Sequence, residues 1–413
     1  MAFRQKTKWL LQIIKNLIII LQRSVHIVIR FIHQSFSQFS KDLAGKKLII
    51  FVLLLLLIFG TVSLLALVPG NHIFEGYLVV EEMSFTYNGQ KQKLFLQSIR
   101  HLKTLEIEGI QTLTLTGKFN SQNFPKLNHL NTIKINLTES NSKLIIAPIN
   151  SSVISEIDLN ELRLQANTKI MRLSYDFYRQ RLAFLIKPQP IPELENQPTI
   201  LKLSLGEQPL KISLQGYKLP DIKIPELQGS QTPLEFTFNP DNKEFDFKIS
   251  QDNIIYLTAS NLPEYDEQWF WSKIATKDVI FERLERSGDL NDDLIFSTIV
   301  EGKVQMAEQQ REIKQGQFLM TEKPDIPLNI ELIRHIQVIP KKGLEVRFVG
   351  KTKQIKIGLD KNFPVSSIKG SLLDEILPHD VVIAVFAFAA GTITSLLSYV
   401  IENAFKPNLK SSS

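Results

Sequence analysis

The sequence predicts an all-β region, either a sandwich or an elongated sheet, that lies between two transmembrane helices and follows a basic amphipathic helix. Three observations support this fold class. Two uncharged stretches of twenty-one residues, 48–68 and 381–401, flank the centre of the chain. Between them apolar residues alternate with polar ones, which is typical of strands with one buried face. Ahead of the first stretch, basic residues recur at helical spacing.

Residues 1–47 are predicted to form a cytoplasmic, basic amphipathic leader. They contain nine Lys or Arg and a single acid, Asp42. The basic positions that recur among apolar residues include Arg4, Lys8, Lys15, Arg23 and Arg30. A helix of this kind is suited to the headgroup region of an anionic membrane, so we expect residues 1–40 to bind membrane lipid. A coiled-coil or partner-binding helix and an organelle transit sequence are the alternatives.

Both uncharged stretches are long enough to cross a bilayer. At about 1.5 Å per residue, a helix of this length reaches about 31 Å, the thickness of the hydrocarbon core. Lys and Arg near a span tend to stay in the cytoplasm, so the basic leader places the N-terminus inside. Two spans then place the tail, 402–413, inside as well, and residues 70–379 outside the cytoplasm, in a bacterial periplasm. The alternatives are a buried helix of a soluble core and, for the first stretch, a cleaved signal peptide.

Small residues distinguish the second predicted span. Five of them share one side of the helix, namely Ala384, Ala387, Gly391, Ser395 and Ser398. In the first span, Gly60 and Ser63 lie on one side near the outer half. Because small residues let helices approach closely in lipid, we expect Gly60 to face Gly391 and Ser63 to face Ala387. Pairing with another copy or with a different membrane protein is the alternative.

The region between the spans is predicted to consist mainly of β-strands. One run places Met171, Leu173, Tyr175 and Phe177 on a single face. The segment LEFTFNPDNKEFDFKIS, residues 234–250, is predicted to form a hairpin because two alternating runs flank turn-forming residues.

A proline-rich stretch divides the β region in the sequence. Residues 188–198 contain four prolines and predict an extended linker. The linker would separate a first β unit, 70–187, from a second, 199–365. One continuous elongated sheet is the alternative to two units.

The composition excludes several chemistries. The chain has no cysteine, which excludes disulfides, thiol catalysis and cysteine-ligated metal sites. The net charge of +6 comes from the leader, since residues 48–379 carry 37 basic and 39 acidic residues, so nucleic acid is not an expected partner. The stretch DLNDDL, residues 289–294, lacks the glycine that a calcium loop needs. Without a hydrolase or complete phosphate-loop motif, we predict no enzyme, no cofactor and no metal.

Two hypotheses about function follow from this organisation. In the first, the β region is a structural or partner-binding module of the cell envelope, and it holds a protein partner in the membrane or envelope. In the second, alternating strands form a groove that carries lipid or another amphipathic ligand. A membrane-anchored hydrolase is a third, less supported alternative. Trp269 and Trp271 are candidates for a ligand or interface surface, and burial in the core is the alternative for them.

The leader hypothesis yields a direct test with a peptide of residues 1–40. We expect this peptide to gain helix on anionic vesicles and little on neutral ones, because its basic face needs anionic headgroups. Circular dichroism on the two vesicle types measures the difference. Equal helicity on both would contradict the electrostatic part of the hypothesis.

Overall fold

The computed structural model describes residues 59–60, 63–64, 66–189, 197–222, 233–259, 273–286, 293–323, 326–339, 341–372, 374 and 379–405. Residues 69–370 form one compact unit, here called the β unit, and residues 1–68 with 371–413 form a second, here called the terminal unit. The β unit is mostly sheet, which confirms the all-β prediction for this part of the chain. The leader lies outside the described residues, as do Trp269 and Trp271.

Seventeen strands pair side by side into one antiparallel ribbon. In spatial order they are β21 (Gln309–Ile313), β20 (Ile299–Met306), β1 (His72–Val80), β24 (Gly343–Thr352), β23 (Ile330–Ile339), β17 (Ile274–Ile280), β2 (Glu82–Tyr87), β9 (Lys169–Asp176), β10 (Arg181–Lys187), β16 (Asn253–Ala259), β4 (Leu102–Gly109), β7 (Lys143–Pro148), β12 (Leu210–Gln215), β14 (Leu234–Pro240), β5 (Gln111–Asn120), β6 (Thr132–Leu137) and β13 (Tyr217–Lys218).

Three smaller sheets complete the β unit. Their strands are β15 (Glu244–Ile249), β11 (Thr199–Ser204), β8 (Asp158–Leu164) and β3 (Lys93–Ile99) in the first, β22 (Phe318–Met320), β25 (Gln354–Gly358) and β26 (Ser366–Lys369) in the second, and β18 (Glu282–Arg286) with β19 (Asp293–Ser297) in the third. A short 3₁₀ helix spans Pro125–His129.

Alternation along each strand creates the core. In β5, buried and exposed positions alternate over the whole strand, so its apolar residues face inward and its threonines face solvent. The inward faces of the ribbon and of the first two smaller sheets share one hydrophobic core. Phe95 of β3 joins two layers, since its ring lies 5.7 Å from the ring of Phe85 and 6.3 Å from that of Phe184, all three fully buried.

The predicted hairpin over residues 234–250 is wrong in its pairing, although both of its strands are present. β14 pairs with β12 and β5 in the ribbon, whereas β15 pairs with β11 in the four-stranded sheet. The residues between them therefore turn from one sheet to another. Two strands with the same alternation fit this arrangement as well as a hairpin, because in both cases each strand buries one face.

The predicted face of β9 is correct for Leu173 and Tyr175 but wrong for Met171. Met171 is exposed and Ile170 is fully buried. The register against β10 shifts here, with Leu185 opposite Arg172 and Ile186 opposite Ile170. This irregularity leaves Met171 without a partner and reverses the alternation, as a β-bulge does.

Strands from both sides of the proline-rich stretch pair with each other. β1 pairs with β20 and β24, and β10 pairs with β16, so the ribbon interleaves the ranges 70–187 and 199–365. The pairing matches the alternative of one continuous sheet, and residues 69–370 form one compact unit. Residues 190–196 of the proline-rich stretch lie outside the described residues.

The two ends of the β unit lie side by side. The backbone N–H of Gly70 donates to the carbonyl of Gly370 at 3.0 Å. A Cβ on Gly370 would overlap the ring of His72, so glycine permits this close approach. Two residues after Gly70, β1 begins its pairing with β24, which runs from His72 opposite Thr352 to Val80 opposite Leu344.

Reciprocal phenylalanine–glycine pairs stabilise the contact between β1 and β24. Phe74 of β1 lies opposite Gly350 of β24, and Gly76 of β1 lies opposite Phe348 of β24. Each ring covers the facing glycine so closely that a Cβ there would overlap it. Aromatic rings placed on strand glycines restore the packing that glycine lacks. Phe74 and Phe348 also contact each other edge to face at 6.2 Å.

The terminal unit contains one long described helix, α1 (His379–Phe405). The N–H of Leu372 donates to the carbonyl of Val68 at 2.8 Å, and the rings of Phe59 and Phe386 meet edge to face at 5.8 Å. The stretches before and after the β unit in the sequence therefore contact each other. Within the described residues, no helix combines the length and the apolar character needed to cross a membrane.

The phenylalanine–glycine pairs predict a specific stability change. We expect Gly76→Ala to lower the free energy of unfolding by about 1–3 kcal/mol, because the added methyl group overpacks against the Phe348 ring. In a Phe348→Leu background the same substitution should have a smaller effect, since a smaller side chain can yield. A double-mutant cycle by chemical denaturation measures the coupling. Equal losses in both backgrounds would show that the ring and the glycine do not interact.

Candidate functional site

A groove of about 830 Å³ lies on the face of the ribbon that points away from the core. We call it the β1 groove, because β1 runs along its centre with β20, β21, β23 and β24 beside it. Its charged and aromatic lining is Glu75, Tyr77, Lys303, Arg334, His335 and Arg347. Two amides, Gln305 and Gln310, and the Gly76–Phe348 pair complete it. Most of the lining side chains are charged or hydrogen-bonding, although apolar atoms contribute nearly half of the groove's surface.

Strand register brings four of these side chains into one row. Tyr77 of β1 lies directly opposite Lys303 of β20 on one side and Arg347 of β24 on the other. Arg347 in turn lies opposite His335 of β23. Adjacent strands are about 4.8 Å apart, so the row extends about 14 Å across the sheet. Side chains from distant parts of the sequence thus share one surface.

A bulge in β23 adds Arg334 to the same groove. Consecutive strand residues normally point to opposite faces. The register between β23 and β24 shifts between Ile333 and His335, so Arg334 is the extra residue and both it and His335 line the groove. Bulges redirect side chains in this way.

Three ion pairs order the groove and its rim. Arg334 Nη1 lies 3.3 Å from a carboxylate oxygen of Glu75. The Nε of Arg347 donates to Glu345 at 2.7 Å, and the guanidinium also lies 5.7 Å from the centre of the Tyr77 ring. On the rim, Lys342 pairs with Glu301 at 2.6 Å. These groups are largely exposed except for Glu345, so solvent screens most of their attraction.

The rim closes over an apolar residue. Val79 is fully buried although it belongs to the outward face of β1 and lies outside the main hydrophobic core. Its cross-strand neighbours are Glu301 and Glu345, both of which carry ion pairs. Long charged side chains can cover apolar surface with their aliphatic stems. The paired side chains at this end of the groove therefore form part of a packed layer.

The electrostatic surroundings of Tyr77 favour its neutral phenol. Burial raises its pKa above the usual value, the carboxylates of Glu345 and Glu301 raise it further, and Arg347 and Lys342 oppose them. Tyr77 is therefore a neutral donor at physiological pH. With the amides and cations around it, the groove offers mostly hydrogen-bond donors, which suits a ligand rich in acceptors.

Tyr175 carries a buried polar group outside the groove. Its hydroxyl is buried and has no hydrogen-bond partner among the described residues. Burial raises the pKa of Tyr175 to about 12, with a smaller contribution from Asp176. A raised pKa makes the phenol a poor base or nucleophile at neutral pH, so the group does not point to catalysis. Among the described residues, no group of three or more His, Asp or Glu is arranged to hold a metal.

The structure places the predicted helix-packing residues on the terminal unit without bringing them together. Apart from their chain neighbours and the backbone of their own helix turns, no described atom lies within 4 Å of a Cβ built at Gly60 or Gly391. Ser63 is half-buried, and the other small residues are exposed, namely Ala384, Ala387, Ser395 and Ser398. The contact that is present joins Phe59 to Phe386 instead. The basic leader residues Arg4, Lys8, Lys15, Arg23 and Arg30 lie outside the described residues.

The β1 groove could not be predicted from the sequence. Its residues lie on strands as far apart in the chain as β1 and β24, and none of them forms a recognisable motif. A partial indication was available, because Glu75 with Tyr77 and Glu345 with Arg347 are polar residues at the outward positions of otherwise apolar strands. No family model, curated protein or solved structure matches this chain.

The unpartnered hydroxyl of Tyr175 predicts that Tyr175→Phe is stabilising at pH 7. Removing a buried, unpaired donor should raise the free energy of unfolding by about 1 kcal/mol. Between pH 10 and about 12 the gain should grow, because the unfolded tyrosine ionises at about pH 10 while the native one keeps its proton. Thermal unfolding of both proteins at pH 7 and pH 10.5 measures this. A destabilised variant would reveal a hydrogen bond from the hydroxyl.

Proposed function

We propose that this chain is a membrane-held binding module of the cell envelope. In this proposal both termini are cytoplasmic, residues 70–379 lie outside the cytoplasm, and the β unit presents the β1 groove to a partner. The observation that carries it is the hydrogen bond between Gly70 and Gly370, 3.0 Å long. It brings the two ends of the β unit to one point, from which a pair of membrane spans can both start on the same side.

The sequence supports the membrane part of the proposal. Residues 48–68 and 381–401 carry no charged side chain. The basic leader precedes the first of them, and this charge asymmetry favours a cytoplasmic N-terminus. Residues 48–58 of the first stretch lie outside the described residues, and no described helix, α1 over the second stretch included, combines the length and apolar character of a span. The membrane part of the proposal therefore depends on sequence hydropathy alone.

Contacts inside the terminal unit support a pair of helices that act together. Phe59 comes from the stretch before the β unit and Phe386 from the stretch after it, and their rings meet at 5.8 Å. The same two stretches are joined by the backbone hydrogen bond from the N–H of Leu372 to the carbonyl of Val68. An edge-to-face aromatic contact provides van der Waals packing, which drives helix association in lipid. Two membrane spans of the same chain, rather than one, would then hold the β unit.

The packing of the β unit favours surface binding over carriage of an apolar ligand. The inward faces of the ribbon and of the first two smaller sheets are buried against one another in one core. A lipid-carrying groove needs an apolar face left open to its ligand. The β1 groove lies on the outward face, and most of the side chains that line it are charged or hydrogen-bonding, which suits a polar partner.

Labelling from outside the cell tests the predicted orientation. Because the chain has no cysteine, single cysteines can be introduced in a clean background. Tyr178 is 95% exposed on the β unit, so Tyr178→Cys should react with an impermeant maleimide applied outside the cytoplasmic membrane of a bacterial host. Ser412→Cys should react only after the cells are opened. Reaction of Ser412→Cys in intact cells would refute the two-span topology.

Crosslinking tests the helix pair separately. We expect Phe59→Cys with Phe386→Cys to join through a short bifunctional thiol reagent in membranes, giving an intramolecular product. Phe388→Cys is the matched control, because Phe388 is exposed and points about 200° away from Phe386 on the helix. Gly60→Cys with Gly391→Cys tests the predicted glycine pair by the same crosslinking measurement. Crosslinked dimers, or equal reaction with Phe388→Cys, would contradict pairing within one chain.

A further inference from the structure

We propose that the β1 groove binds a phosphate group carried by a small polar molecule, through Lys303, Arg347 and Arg334. This inference rests on the proposed function, in which the β1 groove is the binding surface, and it adds the chemical class of the ligand. The groove lining contains these three permanent cations and one carboxylate, Glu75. When Glu345, which pairs with Arg347 from beside the lining, is also counted, the groove keeps a formal surplus of one positive charge, whereas the β unit as a whole carries equal numbers of basic and acidic residues.

Of the three cations, Lys303 is the one most available to a ligand. Among the described residues it has no ion pair or hydrogen bond, and it stands at an exposed position of β20 facing Tyr77. Its other cross-strand neighbour is Glu312 of β21. Lys303 and Glu312 form no ion pair within the described part of the chain. An unpaired ammonium in a groove can bind an anion without first losing a protein partner.

Arg347 provides a planar pair of donors beside Lys303. Only its Nε is engaged, by Glu345, and both terminal nitrogens lack a partner among the described residues. The Glu345 contact fixes the guanidinium and neutralises part of its charge. A guanidinium held by one edge presents a fork that matches two oxygens of a phosphate or carboxylate. Tyr77 lies between Lys303 and Arg347 in the row and adds a neutral hydroxyl donor.

Arg334 closes the other side of the groove. The bulge in β23 redirects it into the groove, where one terminal nitrogen pairs with Glu75. Its remaining nitrogens have no described partner. Glu75 accepts from this arginine and so limits the negative charge that an entering anion would meet. Three cations reach one ligand from β20, β24 and β23.

The charge and the volume favour phosphate on an organic body. A phosphate monoester carries a charge of about −1.5 to −2 at pH 7 and offers three acceptor oxygens to the three cations, whereas a single carboxylate carries one charge and offers two oxygens. The groove, at about 830 Å³, lies within the range of small-molecule sites and far exceeds the volume of an inorganic ion. Gln305 and Gln310 line the remainder and offer amides to a polar body.

Calorimetric titration of the full chain in nonionic detergent tests the inference. The probes are glycerol 3-phosphate, a monoester, and glycerophosphoglycerol, a diester that is the deacylated form of a phospholipid headgroup. We expect saturable binding of at least one probe at low ionic strength. Lys303→Gln should weaken it about tenfold or more, the effect of losing one hydrogen bond to a charged group. Arg347→Lys should weaken it by a similar factor, because it keeps the charge and removes the fork.

The control is Lys134→Gln, which removes an exposed lysine from β6, a strand that does not line the groove. It should leave the affinity unchanged within about twofold. Stronger binding of the monoester would identify a free phosphorylated metabolite, and stronger binding of the diester a lipid headgroup; either supports the inference. Saturable binding of neither probe, or equal weakening by Lys134→Gln and Lys303→Gln, would overturn it. These measurements do not depend on membrane orientation, so they can fail while the labelling experiment succeeds.

Discussion

The antiparallel pairing of β1 with β24 is the constraint on which the rest of the β unit depends. It joins the first strand to one that begins more than 260 residues later, between Val80 and Gly343. The reciprocal pairs of Phe74 with Gly350 and of Phe348 with Gly76 determine its register, since a slip by one residue would set ring against side chain. The same pairing holds the two ends of the unit together and creates the floor of the β1 groove.

The ribbon separates its two faces by chemistry. On the inward side, apolar residues from Phe74 to Ile368 share one core, and Phe95 links the ribbon to the four-stranded sheet. On the outward side, charged residues of β1, β20, β23 and β24 meet in the groove. Buried apolar residues and outward charged residues thus alternate along the same strands. Changes to the outward residues can alter the charge of the groove while leaving the core intact.

Much of the secondary structure could be predicted from the sequence, whereas the pairing of the strands could not. The alternation of β5 identifies its strand and its buried face, because both depend on local order alone. β14 and β15 show the same alternation and yet belong to different sheets, a choice made by tertiary packing. The groove could not be predicted from the sequence for the same reason, because Tyr77 and Arg347 become neighbours only through the pairing of β1 with β24. The bulge at Arg334 further places two consecutive residues on one side, against the period of the strand.

The connection between early and late strands has a consequence for the time course of folding. β1 has its partners in β20 and β24, and Ile299 is the first residue of the earlier of the two. At about 5–20 residues per second, a ribosome needs roughly ten to forty seconds to add the more than 200 residues in between. During that interval β1 has both backbone edges unpaired and Phe74 and Leu78 uncovered, which makes it prone to aggregation. In a nascent chain of this protein, the first strand therefore stays without its native partners until the last third of the β unit emerges.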